Sequence, residues 1–576
     1  MSYMAEYQKW CQSPVLNEEE RAELLSIQND EKEIESRFFA PLSFGTAGLR
    51  GVLGMGVNRM NVYTVRQATQ GIADMIARQG KDAMNRGVAI CMDSRIMSDV
   101  FAKEAACVLA GNGIQVYLFE SLRPTPELSF AIRTISCIAG INITASHNPK
   151  EYNGYKVYWE DGAQLPPVHA DVAAAAIAET DIFTGAKYMD YDKAVKKEKI
   201  ILIGEKVDEA FLVHVQGESI RPELFGQVAD DLKIVYTPFH GTGHKLVPEV
   251  LHRLGLKHVI CVPEQMVTDG NFPTVKSPNP ENPEGFALAI ELAKREGSSL
   301  IIGTDPDADR VGIVVRNGAG EYVTMSGNQV GVLLLDYIIR ARREAGTMPA
   351  NPAALKTIVT TEMVRAVCEK NSVALFETFT GFKFLAEQIK EFETAGSHRY
   401  LLAYEESYGY LVGDFCRDKD AVTASMLIAE MSAYYHTKGM TLYEAMNALY
   451  EEYGYYGEHT ENLVMPGVDG LKDMQTLMAR FRETPPSEIA GNAVVRIRDY
   501  LTGEAKKTEN SSIEKLGMSG SNVLYFELAD GTSFIIRPSG TEPKIKVYIL
   551  LKANSREEIA PRLDAYVSAA RELCKI

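Results

Sequence analysis

Residues 299–315 read SLIIGTDPDADRVGIVV. Two apolar runs, LIIGT and VGIVV, bracket a tight loop in which Asp305, Asp307 and Asp309 alternate with other residues. Runs this apolar and β-rich are expected as buried strands. Three like charges so close together repel unless a cation compensates them. An EF-hand would need glycine at the sixth loop position and glutamate at the twelfth, where this chain has Arg310 and Arg316. A set of hard oxygen ligands without that loop favours Mg²⁺, which takes few carboxylates and usually a phosphate oxygen as well. The alternative, a solvated acidic turn, sits badly between flanks that belong in a core.

Outward from this loop the chain repeats itself. A strand-like run, GVAICMDSR at 87–95, is followed by helical VFAKEAACVLAGNG, the strand IQVYLFE, a further helical stretch and the strand CIAGINITASHNP. The same order returns from LKIVYTPFHGTG at 232–243 to the aspartate loop, and again from LKTIVTTEMV at 355–364 through VALFETFTG and FKFLAEQIKEF to YLLAYEESYGY at 400–410. Strands alternating with helices imply βαβ units and mainly parallel sheets. The third strand of each unit runs into a polar loop, first with Ser146, then the three aspartates, then Glu405 and Glu406. Ligands bind at the carboxyl ends of strands in such sheets. Ahead of the first unit, 16–38 is acidic and helix-favouring, an expected N-terminal arm, and it precedes FGTAGLRG at 44–51. The last part alternates apolar and polar residues around Asp530-Gly531, a hairpin signal, with a helix expected from Ser555.

The expected fold is therefore α/β, three similar mixed α/β domains around a central cleft plus a C-terminal α+β domain. The expected boundaries are 1–205 with the arm and the serine loop, 206–322 with the aspartate loop, 323–452 with the glutamate loop, and 453–576. A chain of 576 residues suits several domains. The net charge of −17 argues against nucleic-acid binding, which usually needs a basic face. Eight cysteines without a CxxC pair fit reduced, buried thiols. A start without signal-peptide character and the lack of any stretch of eighteen apolar residues lead us to expect a cytoplasmic protein with no membrane partner.

Taken singly, the other loops leave two readings open. Ser146 in TASHNP is either ordinary turn chemistry or a nucleophile. RPSGTEPK at 537–544 joins a guanidinium, two hydroxyls and a glycine, a set that suits a phosphate dianion or merely a Pro/Gly turn. Glu405-Glu406-Ser407 can accept from vicinal sugar hydroxyls, or be an acidic helix start. His147 and His240 lie nearest these loops, and either could be a hydrogen-bonded structural histidine. Neither GxxxxGK[ST] nor a strand-linked GxGxxG occurs, which argues against ATP in a P-loop.

Together, and in this order, TASHNP, DPDADR, EES and RPSGTEP resemble the α-D-phosphohexomutase superfamily from Phe44 to Lys552. Chain length, FGTAGLRG and TGFKF are most similar to its phosphoglucomutase and phosphopentomutase branch. The resemblance implies a phosphoserine at Ser146 and Mg²⁺ held by that phosphate with Asp305, Asp307 and Asp309. It implies Arg50 and Lys156 near the transferring group, Arg310 supplying charge, and Lys383, Glu405 and Ser407 on the sugar. The non-reacting phosphate then falls to Arg537, Ser539, Gly540 and Thr541. The implied activity interconverts α-D-glucose 1-phosphate and glucose 6-phosphate through glucose 1,6-bisphosphate, which is both intermediate and activator; the partners are small sugar phosphates. Mannose and pentose phosphates are the same-class alternatives. Ser407-Tyr408-Gly409-Tyr410 lacks the histidine that phosphomannomutase-type members carry after the serine, which counts against mannose. A sugar-phosphate hydrolase and a catalytically silent sugar-phosphate sensor are the readings of other classes.

Overall fold

A computed structural model describes residues 2–45, 48–465, 470–539 and 544–575, so Gly540 and Thr541 lie outside the described residues. The chain divides into two compact units. The first comprises Met1–Gly327, Ala386–Glu391 and Ser407–Leu442; the second comprises Asn328–Leu385, Phe392–Glu406 and Tyr443–Ile576.

Two sheets build the first unit. Val88–Met92 is buried at every residue and lies parallel to Val116–Phe119 and Ala139–Ile143. Helices Val62–Arg78 and Ser98–Gly111 join one set of its residues (Val88, Ile90, Met92) in one apolar cluster, and Thr125–Ile135 joins the alternate set (Ala89, Cys91) in another. Continuous apolar strands belong in a sheet covered on both faces. The second sheet repeats the plan, with Lys233–Thr237 parallel to His258–Cys261 and Leu300–Thr304.

Beyond their parallel strands both sheets turn antiparallel. Tyr152–Trp159 returns along Ala139–Ile143 with Lys156 opposite Asn142, and Leu49–Val52 lies along Tyr152–Trp159. Val311–Arg316 returns along Leu300–Thr304 with Val311 opposite Thr304. The loops after the third strands are too short for a crossover, and a short connection leaves only an antiparallel partner. Both the serine and the aspartate loops are thus pinned at each end by paired strands.

The acidic arm is not one helix. Asn17 and Asp30 cap separate helices, Glu18–Ser26 and Glu31–Phe38, and a further helix, Tyr3–Gln12, precedes them. Trp10 is fully buried against Phe38, Tyr63 and Phe183, which fixes the arm to the first unit.

In the second unit Pro352–Thr357 lies parallel to Ala374–Thr378 and Arg399–Glu405. The C-terminal sheet is antiparallel throughout its described pairings. Leu524–Leu528 and Ser533–Pro538 form the expected hairpin, and Lys544–Ala553 links it to Tyr455–Val464. The last helix is Ile559–Leu573, starting after Ser555. All eight cysteines are free, and no described helix is long and apolar enough to cross a membrane.

Candidate active site

The aspartate loop closes on itself before it meets anything else. One oxygen of Asp305, Oδ1, accepts from the backbone N–H groups of Asp309 and Arg310, at 3.1 and 3.0 Å. Its other oxygen, Oδ2, accepts from the Ser146 hydroxyl at 3.0 Å. Ser146 adopts the left-handed conformation with φ 54°, which costs a non-glycine residue about 1 kcal/mol or more and persists only where surroundings impose it. Its N–H donates to Thr144 Oγ1 at 2.8 Å, and its Oγ lies 3.1 Å from Nδ1 of His147. Desolvation, then the nearby Arg310 and Arg50, hold His147 well below its ordinary pKa, so this imidazole is neutral.

Asp305, Asp307 and Asp309 are all buried, with one oxygen from each within 4.8 Å of the others. Two ammonium groups answer them. Lys156 Nζ lies 2.8 Å from Asp307 Oδ2 and 3.5 Å from Asp309 Oδ2, and Lys419 Nζ lies 3.1 Å from Asp309 Oδ2. Thr125 Oγ1 also donates to Asp307 Oδ2, at 2.9 Å, and accepts from Asn142, the residue opposite Lys156 in the sheet. Burial, then the charges of Asp307 and Asp309, push the Asp305 carboxyl far above the usual carboxylate range. Burial raises Asp307 too, but Lys156 and the hydrogen bonds it receives win and hold it far below that range. Asp307 Oδ1 and Asp309 Oδ1 have no hydrogen-bond partner among the described residues. Two orphaned carboxylate oxygens beside a third carboxylate are the donor set a hard divalent cation takes, so the residues present fit one.

The other expected residues distribute over both units. Arg50 Nη1 donates to Asn148 Oδ1 of the serine loop at 3.1 Å, and Arg310 Nη1 pairs with Glu281 at 3.2 Å. In the second unit Glu405 is buried and accepts from Gly381 N–H at 2.8 Å. Glu406 faces the hydroxyls of Thr357 and Thr360 at 3.3 and 3.5 Å. Desolvation, then Glu405, raises Glu406 to about 6. Arg537 lies opposite Lys546 of Lys544–Ala553, Ser539 N–H donates to Lys544 O at 2.8 Å, and Lys383 lies over the Phe384 ring at 4.8 Å. Ser407 begins the segment that belongs to the first unit. His240 is a structural histidine, bonded to Val267 O and Thr274 Oγ1.

Lys419 and Thr125 escape a reading of the four loops. The signal for Lys419 is the run RDKD at 417–420, a lysine between two aspartates. Its stem crosses Gly409 so closely that a Cβ there would lie 2.2 Å from Lys419 Cδ. Thr125 is the first residue of its helix and carries no local pattern that separates it from any other threonine.

A buried serine hydroxyl beside an acidic cluster fit for a cation, at the carboxyl ends of α/β strands and flanked by ammonium groups, defines a centre suited to phosphoryl transfer. The models of phosphoglucomutase/phosphomannomutase alpha/beta/alpha domains I, II and III match residues 41–182, 211–318 and 326–453. A phosphoglucomutase of Staphylococcus aureus (strain N315) is 36% identical over 543 residues, 93% of this chain and 95% of that one. A putative phosphomannomutase from Thermus thermophilus shares the fold with a TM-score of 0.68 at 22% identity, covering 93% of this chain and 99% of that one. The open form of Paramecium parafusin shares it at 0.65 and 19%, covering 93% and 95%. The chain belongs to the phosphoglucomutase/phosphomannomutase family, within the α-D-phosphohexomutase superfamily.

Proposed function

We propose that this protein is a phosphoglucomutase, a Mg²⁺-dependent enzyme that interconverts α-D-glucose 1-phosphate and glucose 6-phosphate through a phosphoserine and glucose 1,6-bisphosphate. The observation that carries the reading is the Ser146 hydroxyl 3.0 Å from Asp305 within the buried aspartate cluster. A relative of that name, 36% identical over nearly the whole chain, supports it. The four-domain division at 1–205, 206–322, 323–452 and 453–576 is part of the same reading.

Ser146 carries the phosphoryl group. In the forward half-reaction the bond from phosphorus to Ser146 Oγ breaks, a bond to the free sugar hydroxyl forms, and the hydroxyl proton leaves. After the bisphosphate turns over, Ser146 takes the phosphoryl group from the other end. Asp305, Asp307 and Asp309 would hold Mg²⁺, which supplies positive charge to the phosphoryl oxygens. Lys156 and Arg50 stabilise the charge that develops or move the proton, and Arg310 adds its guanidinium to the same field. Glu405 and Ser407 are assigned to sugar hydroxyls and Lys383 to the sugar. Arg537 and Ser539, with Gly540 and Thr541, are assigned to the non-reacting phosphate.

The test is to strip the protein of phosphate, confirm the loss of one phosphate by intact mass, and assay glucose 1-phosphate conversion with and without trace glucose 1,6-bisphosphate. Activity should be nearly absent without the bisphosphate and restored by it. Equal activity in both assays overturns the serine cycle. Release of inorganic phosphate in step with substrate loss would make the protein a hydrolase, and a panel of glucose, mannose and pentose 1-phosphates compared by kcat/KM ranks the substrates.

A further inference from the structure

Behind the serine loop lies a buried ion pair that the reaction described above does not use. The strand Val88–Met92 ends in Asp93-Ser94-Arg95, and the side chains of Asp93 and Arg95 are both 0% exposed. Arg95 Nε lies 3.3 Å from Asp93 Oδ2. Asp93 Oδ1 is tied in turn by the Arg95 N–H at 2.9 Å and the Ser98 hydroxyl at 2.8 Å. The rest of the guanidinium fork is spent on backbone. Nη2 donates to the carbonyls of Ser146 at 2.6 Å and Asn148 at 2.5 Å, and Nη1 to those of Pro149 at 2.9 Å and Tyr152 at 3.0 Å.

A planar fork with fixed donor directions is a geometric template, unlike a single ammonium. Four carbonyls from 146 to 152 are read by one rigid group, and one of them belongs to Ser146, whose backbone is left-handed. Binding that carbonyl stops the peptide after Ser146 from flipping, which keeps φ and ψ of the serine, and with them the direction of its hydroxyl, in the conformer that meets Asp305. The clamp is also covered. Phe272 places its ring 5.1 Å from the guanidinium, and Ser277, further along the same loop, donates to the His147 carbonyl at 3.2 Å. Gly270 lets that loop approach, since a Cβ there would fall 2.4 Å from Ile96 N. A buried guanidinium and carboxylate are costly to desolvate and contribute little net stability, so a pair retained here is better explained by the conformation it specifies.

We infer that Arg95, oriented by Asp93 and covered by Phe272, is a positioning residue that holds the 146–152 loop in the conformation aiming the Ser146 oxygen, and so sets the rate of phosphoryl transfer without binding substrate. The inference rests on Ser146 as the phosphoryl carrier. Stripped wild type, Arg95→Lys, Phe272→Leu and Ser146→Ala are mixed with glucose 1,6-bisphosphate, and phosphate gained per folded molecule is followed by quenched-flow intact mass, with folded fraction taken from circular dichroism. The wild type should gain one phosphoryl group and Ser146→Ala none. Arg95→Lys keeps the charge but loses the fork, and its limiting rate should fall by roughly tenfold to a hundredfold, as for a misaimed reacting atom. The bisphosphate concentration at half-maximal rate should stay within about twofold of the wild type, because binding is untouched. Phe272→Leu should slow the step by roughly threefold, the size of a partly lost cation–π contact. A purely structural role would lower the folded fraction and melting temperature but leave the rate per folded molecule at the wild-type value, and that result overturns the inference. So does an effect confined to the half-maximal concentration. If Arg95→Lys does not fold, an unchanged rate in Phe272→Leu overturns it. Failure of the wild type to gain phosphate, or its gain by Ser146→Ala, would instead refute the serine reading, and shows in proteins that keep Arg95.

Discussion

Residues 305–309 and 405–406 occupy equivalent places, each at the carboxyl end of the third parallel strand of its βαβ unit, and each concentrates carboxylates there. Their hydrogen-bond partners differ. Asp307 and Asp309 each keep an oxygen without a hydrogen-bond partner among the described residues, and two ammonium groups crowd the cluster. Glu405 is met by a backbone N–H and Glu406 by two threonine hydroxyls, with the charges of Lys546 and Arg537 acting on Glu406 as well. The strand end supplies the place and the neighbouring donors supply the chemistry. Unmet oxygens among ammonium groups are prepared for a cation and a charged group in transit, whereas carboxylates already held by backbone and hydroxyl donors are oriented to accept from hydroxyls.

The sharpest break between the two regions comes from the hydroxyl that touches only the first. Ser146→Ala should fold as the wild type does yet lose turnover by on the order of a thousandfold or more, because the covalent path is gone. Turnover near the wild-type value in a folded Ser146→Ala protein would detach the aspartate loop from the chemistry.

Next in size is the metal. Chelation should abolish activity and Mg²⁺ restore it, and Asp307→Asn should weaken Mg²⁺ binding and cut kcat by roughly a hundredfold, the scale of losing one preorganised charge contact. Glu406→Gln, the matched change in the other loop, should leave the Mg²⁺ requirement unaltered. Isothermal titration with Mg²⁺ on both variants separates them, and equal loss in the two would erase the contrast.

A smaller effect is expected from Arg537→Ala, which should raise KM with kcat much less affected. Charge-assisted bonds to phosphate contribute about 1.5 to 3 kcal/mol, or roughly tenfold to a hundredfold in KM. Phosphorylation of Ser146 should survive, since Arg537 belongs to the other unit. An unchanged KM would place the substrate phosphate elsewhere.

The smallest effect is one of pH. The Glu406 carboxyl is raised from 4.5 to about 6, so the folded state holds this proton more tightly than the unfolded chain does. That stabilisation is complete below 4.5 and disappears as pH rises through about 6. Wild type should therefore lose about 1 to 2 kcal/mol relative to Glu406→Gln across that window, with nothing further above it. Urea melts of the two proteins between pH 4.5 and 7 measure the difference, and parallel curves would show that burial and the neighbouring Glu405 leave Glu406 an ordinary carboxylate.

What was legible in the chain was what short-range pattern controls. Apolar runs such as LIIGT and AGINI announce buried strands because alternation and burial act over a few residues, and a loop such as DPDADR declares its charge wherever it folds. The three repeats and the serine, aspartate and glutamate loops could therefore be ordered along the sequence alone. The breaks in the N-terminal arm were less visible, since Asn17 and Asp30 act as caps only once the chain leaves the helix there. The antiparallel return of Tyr152–Trp159, which sets Lys156 opposite Asn142, depends on which strand edge is free. The same holds for Ser407–Leu442, which follows the glutamate loop in sequence but packs in the first unit, where Val311 N–H donates to Tyr408 O and Lys419 reaches Asp309. Sequence by itself determined the strands, the repeat and the charge of each loop, because those depend on neighbours along the chain. Only the tertiary structure decided that Lys419 neutralises Asp309 and that Arg95 grips four carbonyls of the serine loop. A buried charge takes its partner from whatever the fold brings within a few ångströms, and no local pattern carries that distance.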